Sequence, residues 1–367
     1  MNIPFTDLQR QYRENQEAID GQIREVLDSS QYILGRKVQE IEEKLADLVG
    51  VRHAIGVDSG THALQLALMA IGLGPGDEVI TTPFTFVATV EVIALLGGVP
   101  VFADIEPDTY NIDPEQIEAR VGPRTRAIMP VDLFGQCADY DRIEEIASRR
   151  SLAVIEDAAQ AFGARQNERM ACSFGGIGCT SFYPAKPLGC YGDGGMIFTD
   201  DDGTAEVLRS LHVHGEGTQR YEHVRIGLCA RLDAIQAAVL LGKLPAFPRE
   251  IEMRQEVAER YTEMLRGIVI TPTVRPRNNS VWAQYCIRVK DRKAVIRHLQ
   301  EAGVPTAVFY PIPMHLQKAF AYLGGKEGDC PVAEAVSRDI MALPLHPYLD
   351  VETQQVIVSR VRQTVGA

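Results

Sequence analysis

The chain has 367 residues, of which 46% are hydrophobic and 23% charged, and its formal net charge is −12. This composition is ordinary for an enzyme with two domains or one large α/β unit. The negative charge argues against a nucleic-acid partner, since binding a nucleic-acid backbone requires clustered Lys and Arg. No segment approaches the ~18 to 20 apolar residues of a membrane span, and the N-terminus lacks a secretory signal pattern. We therefore expect a cytoplasmic protein.

The seven cysteines are odd in number, scattered, and show no C-x-x-C spacing. This pattern indicates reduced and mostly buried thiols rather than a disulfide framework or a metal site.

The first informative segment is residues 53–67, which predict a strand, a turn of small residues and a helix. In the helical part, Leu64, Leu68 and Ile71 fall on one stripe. The free backbone N–H groups and the helix dipole would then point at whatever lies over Gly60 and Thr61. A phosphate group is the natural guest of such a turn.

Between about residues 50 and 200, apolar strand candidates alternate with helical stretches. The further candidates are residues 78–81, 99–103, 127–131, 152–155, 179–182 and 195–199. This alternation predicts an α/β fold whose mostly parallel sheet is covered by helices on both faces. Ligands of such sheets bind at the carboxyl ends of the strands.

Two charged residues follow strand candidates in a way that suggests cofactor chemistry. Asp157 comes at the carboxyl end of the apolar run 152–155, and Lys186 lies between an apolar segment and the glycine-rich run 189–195. Partly dry surroundings would favour a neutral, nucleophilic lysine amine. An aldehyde cofactor with a pyridinium nitrogen needs a lysine to carry it and a carboxylate to keep its ring protonated. Lys186 and Asp157 are candidates for these two roles.

The C-terminal part follows a different pattern. A helical stretch over residues 231–266 is interrupted by Pro245 and Pro248, and residues 283–289 begin a shorter set of strands and helices. We therefore predict a large domain of residues 1–245, with an N-terminal arm, and a small α+β domain of residues 246–367.

Seven segments resemble the DegT/DnrJ/EryC1/StrS family, the pyridoxal-phosphate (PLP) aminotransferases that act on nucleotide-linked keto-sugars. In chain order, the matching segments are residues 59–64, 82–89, 156–160, 181–186, 192–195, 231–238 and 310–315. The resemblance implies a PLP-dependent, aspartate aminotransferase-like fold of type I.

The resemblance also implies roles for individual residues. Lys186 would carry PLP as a Schiff base and then act as the acid and base of the 1,3-proton shift. Asp157 would bind the pyridine nitrogen, Gln160 the phenolic oxygen, and Phe86 would stack on the ring. The residues that would hold the phosphate are Gly60, Thr61, His62 and Ser181.

Further matching positions imply a homodimer with shared active sites, because the segments at 229–231 and 310–315 act on the partner's site in the family. Tyr310, His315 and Arg231 would contact the substrate. Cys229 stands where the family usually has a phosphate-binding Asn, and a thiol is a poorer hydrogen-bond donor than an amide. Phe309 stands where relatives specific for uronic acids carry His, which favours an uncharged sugar, although Arg231 is available as an acid partner.

The resemblance thus predicts transfer of an amino group from L-glutamate to a nucleotide-linked keto-sugar for lipopolysaccharide assembly. We expect C3 of a UDP-linked 3-keto-N-acetylhexosamine; the alternatives are the corresponding hexuronate and a dTDP-keto-6-deoxyhexose. A PLP-dependent sugar dehydratase is disfavoured because those relatives replace the Schiff-base lysine with His. A non-catalytic regulator is disfavoured because it needs none of Lys186, Asp157 and Gln160.

Overall fold

The computed structural model describes residues 3–219 and 221–366. The strands are β1 (His53–Val57), β2 (Glu78–Thr81), β3 (Val99–Phe102), β4 (Thr125–Met129), β5 (Ala153–Asp157), β6 (Arg165–Gln166), β7 (Arg169–Met170), β8 (Ile177–Ser181), β9 (Gly195–Thr199), β10 (Asn278–Asn279), β11 (Tyr285–Arg288) and β12 (Ile340–Leu343).

The helices are α1 (Leu8–Ser29), α2 (Arg36–Val49), α3 (Gly60–Ala70), α4 (Ala88–Leu95), α5 (Pro114–Arg120), α6 (Tyr140–Arg150), α7 (Asp202–Leu211), α8 (Ala234–Lys243), α9 (Phe247–Leu265), α10 (Arg292–Glu301), α11 (Pro331–Asp339) and α12 (Val351–Val365). Short 3₁₀ turns cover Leu133–Gly135, Leu244–Ala246, Met314–Leu316 and Lys318–Leu323. Within the described ranges, none of the helices is long and apolar enough to cross a membrane.

A seven-stranded sheet forms the centre of the molecule, with strand order β1-β9-β8-β5-β4-β2-β3. The pairings of β5 with β8, β4 with β5, and β2 with β4 and β3 are all parallel. Strand β9 is antiparallel to both of its neighbours, β1 and β8. The mostly parallel sheet predicted from the sequence is therefore confirmed, with one strand reversed.

Helices cover both faces of this sheet, as the alternation of buried side chains shows. Ile80, Ile128 and Val154 point into one hydrophobic cluster, which also contains residues of α1, α2, α6 and α8. Their neighbours Val79 and Ile155 point into another cluster, together with residues of α3, α4 and α7. Successive side chains of a strand lie on opposite faces, so each face has its own core. The predicted α/β fold is confirmed.

The C-terminal part has a core of its own. Strands β11 and β12 pair in an antiparallel sheet, and their apolar side chains pack with residues of α9, α10 and α12. Helix α9 begins at Phe247, directly after the 3₁₀ turn Leu244–Ala246, with a proline in its first turn. Proline is well tolerated there because its missing N–H has no helical acceptor. We propose that the small domain begins at this turn.

Candidate active site

Lys186 lies in the segment that connects the antiparallel neighbours β8 and β9. Backbone hydrogen bonds close this segment at its base, from Phe182 N to Gly194 O at 2.7 Å and from Cys190 N to Phe182 O at 2.8 Å. A Cβ atom at Gly189 would lie 2.6 Å from Pro184 O, so the tight turn that follows Lys186 requires glycine. The lysine is thereby held on a short, closed loop.

The surroundings of Lys186 favour its neutral form. Burial lowers the pKa of its amine to about 8, although the nearby Asp157 carboxylate acts in the opposite direction. A protonated amine loses more hydration free energy on burial than a neutral one, which is the cause of this direction. Lys186 therefore has the properties of a nucleophilic amine near neutral pH, as the sequence predicts.

Asp157 is the last residue of β5, and its side chain is only 4% exposed. Its Oδ2 accepts a hydrogen bond from Thr89 Oγ1 at 2.8 Å, and its Oδ1 accepts one from Ala159 N at 3.1 Å. Burial raises the pKa of the carboxyl, whereas both hydrogen bonds and Lys186 lower it. The two donors fix the orientation of this buried carboxylate.

Gln160 and Tyr310, which are far apart in the sequence, are in contact. Gln160 Nε2 donates to the Tyr310 hydroxyl at 3.1 Å, and Gln160 Oε1 accepts from Phe134 N at 3.0 Å. The backbone donor settles which end of the amide is oxygen. The second hydrogen of Nε2 is available to an oxygen acceptor, as the predicted contact with the phenolic oxygen of PLP requires.

Phe86 presents an aromatic face to its surroundings. Its side chain is 55% exposed although Phe84 and Thr85, which precede it, are buried. The ring centroid lies 6.4 Å from that of Tyr310. An exposed phenyl ring next to these polar groups suits the predicted stacking on a flat cofactor.

The predicted phosphate site brings the start of α3 against the end of β8. A Cβ atom at Gly60 would lie 2.6 Å from Ser181 Cβ, so glycine permits this close approach. The N–H groups of Gly60 and Thr61 lie in the first turn of α3, where no intrahelical acceptor exists. His62 N already donates to Ser59 Oγ at 3.1 Å, and His62 Nδ1 lies 2.6 Å from Asp58 Oδ1. Any phosphate contact of His62 would therefore come from the rest of its ring.

The predicted substrate residues differ in their surroundings. Cys229 is exposed, and its Sγ lies 3.1 Å from Arg231 Nη2. Among residues 3–219 and 221–366, Arg231 forms no salt bridge with a carboxylate, so its charge is available to a ligand. His315 is buried, with its Nε2 3.1 Å from Glu334 Oε1 and its ring beside Phe102. These contacts give His315 a packing role and do not support the predicted substrate contact, which stays a prediction.

Comparison with known proteins identifies the family of this chain. Residues 13–362 match the DegT/DnrJ/EryC1/StrS aminotransferase family. The chain belongs to this family.

Two curated relatives and one solved structure illustrate the similarity. The chain is 50% identical to the UDP-2-acetamido-2-deoxy-3-oxo-D-glucuronate aminotransferase of Pseudomonas aeruginosa, over 97% of this chain and 98% of that one. It is 40% identical to the UDP-N-acetyl-3-dehydro-alpha-D-glucosamine 3-aminotransferase of Acidithiobacillus ferrooxidans, over 99% and 98%. The structure of DesV from S. venezuelae with a ketimine intermediate superposes with a TM-score of 0.97 at 38% identity, covering 100% of this chain and 99% of that one.

Members of this aminotransferase family depend on PLP, and solved relatives hold the cofactor as PLP or as its amino form, PMP. The groups present in this chain fit that cofactor. The oriented carboxylate of Asp157 suits a pyridinium nitrogen, the amide of Gln160 suits the phenolic oxygen, and the first turn of α3 suits a phosphate. The predicted fold, enzyme class and cofactor are thus confirmed.

Two hydroxyl groups near Asp157 were given no role in the sequence analysis. Thr85 and Thr89 are buried, and their hydroxyl oxygens lie 2.9 Å apart. Because the Thr89 hydroxyl donates to Asp157, the hydrogen of this second bond comes from Thr85. Thr89 lies in the first turn of α4, whereas Thr85 lies in the bend before it, so helical spacing in the sequence did not reveal this contact.

Proposed function

We propose that this aminotransferase moves an amino group from L-glutamate to the C3 ketone of a UDP-linked 2-acetamido sugar. The observation that carries the proposal is the placement of a lysine with a depressed pKa beside an oriented, buried carboxylate. The full-length identity to two enzymes named for 3-oxo UDP-sugars supports the substrate class.

Each residue of the site has a task in this reaction. PLP, when bound, supplies an electrophilic carbon and a ring that withdraws electrons from the neighbouring C–H bond. Lys186 Nζ would accept a proton from the carbon on one side of the transferred nitrogen and return it to the carbon on the other side, the 1,3-proton shift, for which a pKa near 8 is suited. Asp157 keeps the ring nitrogen protonated, and Thr89 orients that carboxylate. Gly60, Thr61 and Ser181 would hold the phosphate while Lys186 is free to move protons.

The substrate must provide an anionic partner for the guanidinium of Arg231. L-glutamate brings carboxylates that a guanidinium binds in a bidentate manner. Because the amino donor and the keto-sugar occupy the same site in turn, a carboxylate at C6 of the sugar could use the same cation. The 50% identity to an enzyme named for a glucuronate supports this use of Arg231, and we propose the hexuronate as the first candidate.

The uncharged N-acetylhexosamine is the second candidate, and Phe309 favours it. An apolar ring beside a sugar carboxylate would leave that charge poorly solvated. However, the Phe309 ring packs edge-on against Phe5 at 6.4 Å and against Tyr310 at 5.8 Å. These contacts show that the ring also fills a hydrophobic cluster, so its identity is not a simple measure of the charge of the substrate.

We further propose that the enzyme is a cytoplasmic homodimer with shared active sites. Exposed apolar side chains on two segments support an assembly that would cover them. They are Tyr32 (46% exposed), Ile33 (50%), Val224 (53%) and Ile226 (91%). The second of these segments leads directly to Cys229 and Arg231, as expected if those residues act on the neighbouring subunit.

The test is to incubate the protein with L-glutamate and a panel of UDP- and dTDP-keto-sugars and to follow amino-sugar formation by mass spectrometry. The Lys186→Ala variant is the control. We expect amination of the UDP-linked 3-keto sugars, with kcat/KM at least about tenfold higher for the uronate, as one hydrogen bond to a charged group would give. A preference for the uncharged sugar would contradict the proposed order of the two candidates. No amination of any UDP-sugar would refute the proposed substrate class.

A further inference from the structure

Two more carboxyl groups lie buried directly behind Asp157. Asp132 follows β4 and Glu156 precedes Asp157 in β5, and both side chains are 0% exposed. Asp132 N donates to Asp157 O, and Asp157 N donates to Pro130 O, each at 3.0 Å. The backbone of Asp132 therefore holds the residue that is expected to bind the cofactor nitrogen.

The two carboxyl groups differ in how many of their oxygen atoms accept a hydrogen bond. Asp132 Oδ1 accepts from Ala138 N at 2.8 Å and from Tyr140 OH at 2.9 Å. Glu156 accepts from Cys172 N at 2.6 Å and from Phe174 N at 2.9 Å, one on each oxygen. Asp132 Oδ2, in contrast, is buried and has no donor among the described residues. The side chain of Glu156 lies close enough to that of Asp132 for each carboxyl to change the pKa of the other.

No cation compensates the pair. In the described part of the chain, neither Asp132 nor Glu156 forms a salt bridge with Lys, Arg or His. The titratable groups that act on the pair are Asp157 on β5, Tyr140 on α6 and the thiols of Cys137, Cys172 and Cys179, all of them neutral or negative. The guanidinium of Arg169, which acts on Cys137, is paired with Glu144 at 2.9 Å. Two adjacent ionised carboxylates in such surroundings would carry a large electrostatic cost.

We propose that Asp132 and Glu156 share one proton at neutral pH and act together as a positioning unit for Asp157. The shared proton gives Asp132 Oδ2 its missing hydrogen bond and reduces the charge of the pair from −2 to −1. Burial raises the pKa of both carboxyls, and Asp132 raises that of Glu156 further, whereas the hydrogen bond with Glu156 lowers the pKa of Asp132; this division agrees with one proton retained by the pair.

The consequence for the active site, which rests on the proposed function, concerns the charge of Asp157. Asp157 must stay ionised to hold a protonated ring nitrogen, yet its own burial raises its pKa. A doubly charged pair behind it would raise that pKa further. One shared proton removes half of this repulsion while the backbone contacts still fix the ends of β4 and β5.

The experiment uses the full chain without cofactor. Infrared difference spectra should show the carbonyl stretch of a protonated carboxylic acid in the wild type at pH 7, and Asp132→Asn should lose it. In this variant an amide N–H replaces the shared proton, so the fold is expected to persist. Asp139→Asn is the matched control, because Asp139 caps α6 and pairs with Arg275 at 3.3 Å outside the pair; it should keep the band. A wild-type spectrum without the band would overturn the proposal.

A second variant tests the link to Asp157. Asp157→Asn removes a negative charge that raises the pKa of Asp132, so the band should disappear on titration about one pH unit lower than in the wild type. Linkage is reciprocal, and such a shift would show that the proton of the pair acts equally on Asp157. An unchanged midpoint would refute the positioning role. Asp132 and Glu156 would then contribute only to packing. This measurement uses neither cofactor nor substrate. Its outcome therefore does not depend on whether the protein shows the proposed aminotransferase activity.

Discussion

The hydroxyl of Thr89 donates a 2.8 Å hydrogen bond to Oδ2 of Asp157, and thereby ties the start of α4 to the end of β5. Thr89 is itself held by Thr85 at 2.9 Å. The carboxylate is thus oriented by two hydroxyls in series and by Ala159 N on its other oxygen. These contacts orient the Asp157 carboxylate before the cofactor binds. Less side-chain entropy is therefore lost on binding.

Replacing Thr89 with Val tests this arrangement, because valine keeps the shape and removes the donor. Loss of one hydrogen bond to a charged group costs about 1.5–3 kcal/mol, so we expect PLP to bind at least about tenfold more weakly, as measured by fluorescence titration. Thr85→Val is the matched control, since it leaves the donor to Asp157 intact and should have a smaller effect. Equal affinities for wild type and Thr89→Val would show that the bond does not matter for binding.

The pKa of Lys186 predicts how its reactivity changes with pH. In cofactor-free protein, the neutral fraction of the amine should rise through a midpoint at about pH 8, below the ordinary 10.5. The rate at which an amine reagent labels Lys186, followed by peptide mass spectrometry, measures this midpoint. In Asp157→Asn the midpoint should fall below that of the wild type, because the carboxylate that raises the pKa is gone. A wild-type midpoint near 10.5 would contradict the prediction.

Gly60→Ala should damage the phosphate site. The added Cβ would lie 2.6 Å from Ser181 Cβ, and relieving such overpacking typically costs about 1–3 kcal/mol. We expect a lower melting temperature together with PLP affinity reduced about tenfold or more. Gly21→Ala serves as the control, because no atom lies within 4 Å of its added Cβ and the residue is inside α1. Unchanged PLP binding in Gly60→Ala would place the phosphate elsewhere.

Mixing two inactive chains tests the shared active site. If Arg231 acts on the neighbouring subunit, a heterodimer of Lys186→Ala and Arg231→Ala chains contains one site with both residues intact. We expect purified heterodimers to regain up to half of the wild-type activity per dimer, whereas each parent loses turnover by roughly 10² to 10⁴. Heterodimers without activity would mean that Arg231 serves its own chain.

Much of the fold follows from short stretches of sequence. Apolar runs bounded by turns placed β2 and β9 at residues 78–81 and 195–199, where the structure has them. The strand expected at 127–131 instead spans Thr125–Met129, since Pro130 has no N–H with which to continue the ladder. The reversed direction of β9 could not be predicted, because periodicity carries no information about strand direction.

The candidate site was predictable where a motif assigns a role to a residue. Lys186 and Asp157 were predicted in this way, and the structure places them close enough for each to change the pKa of the other. The contact between Gln160 and Tyr310 joins residues 150 positions apart, which no local pattern reveals. The burial of His315 also depends on tertiary packing, here against Glu334, so its place in a motif was a poor guide to its surroundings.

The reversal of β9 determines how the segment that carries Lys186 is anchored in the sheet. If the strand that follows β8 were parallel to it, the chain would first have to cross over to the opposite end of the sheet. Because β9 returns beside β8, residues 182–194 begin and end at adjacent points, with Ser181 opposite Gly195. Within the segment, the hydrogen bonds from Cys190 N to Phe182 O and from Lys186 N to Tyr183 O, each at 2.8 Å, fix the course of the chain around the lysine. Adding or deleting a residue would shift Lys186 against Asp157, so this loop, unlike most surface loops, should not tolerate changes in length.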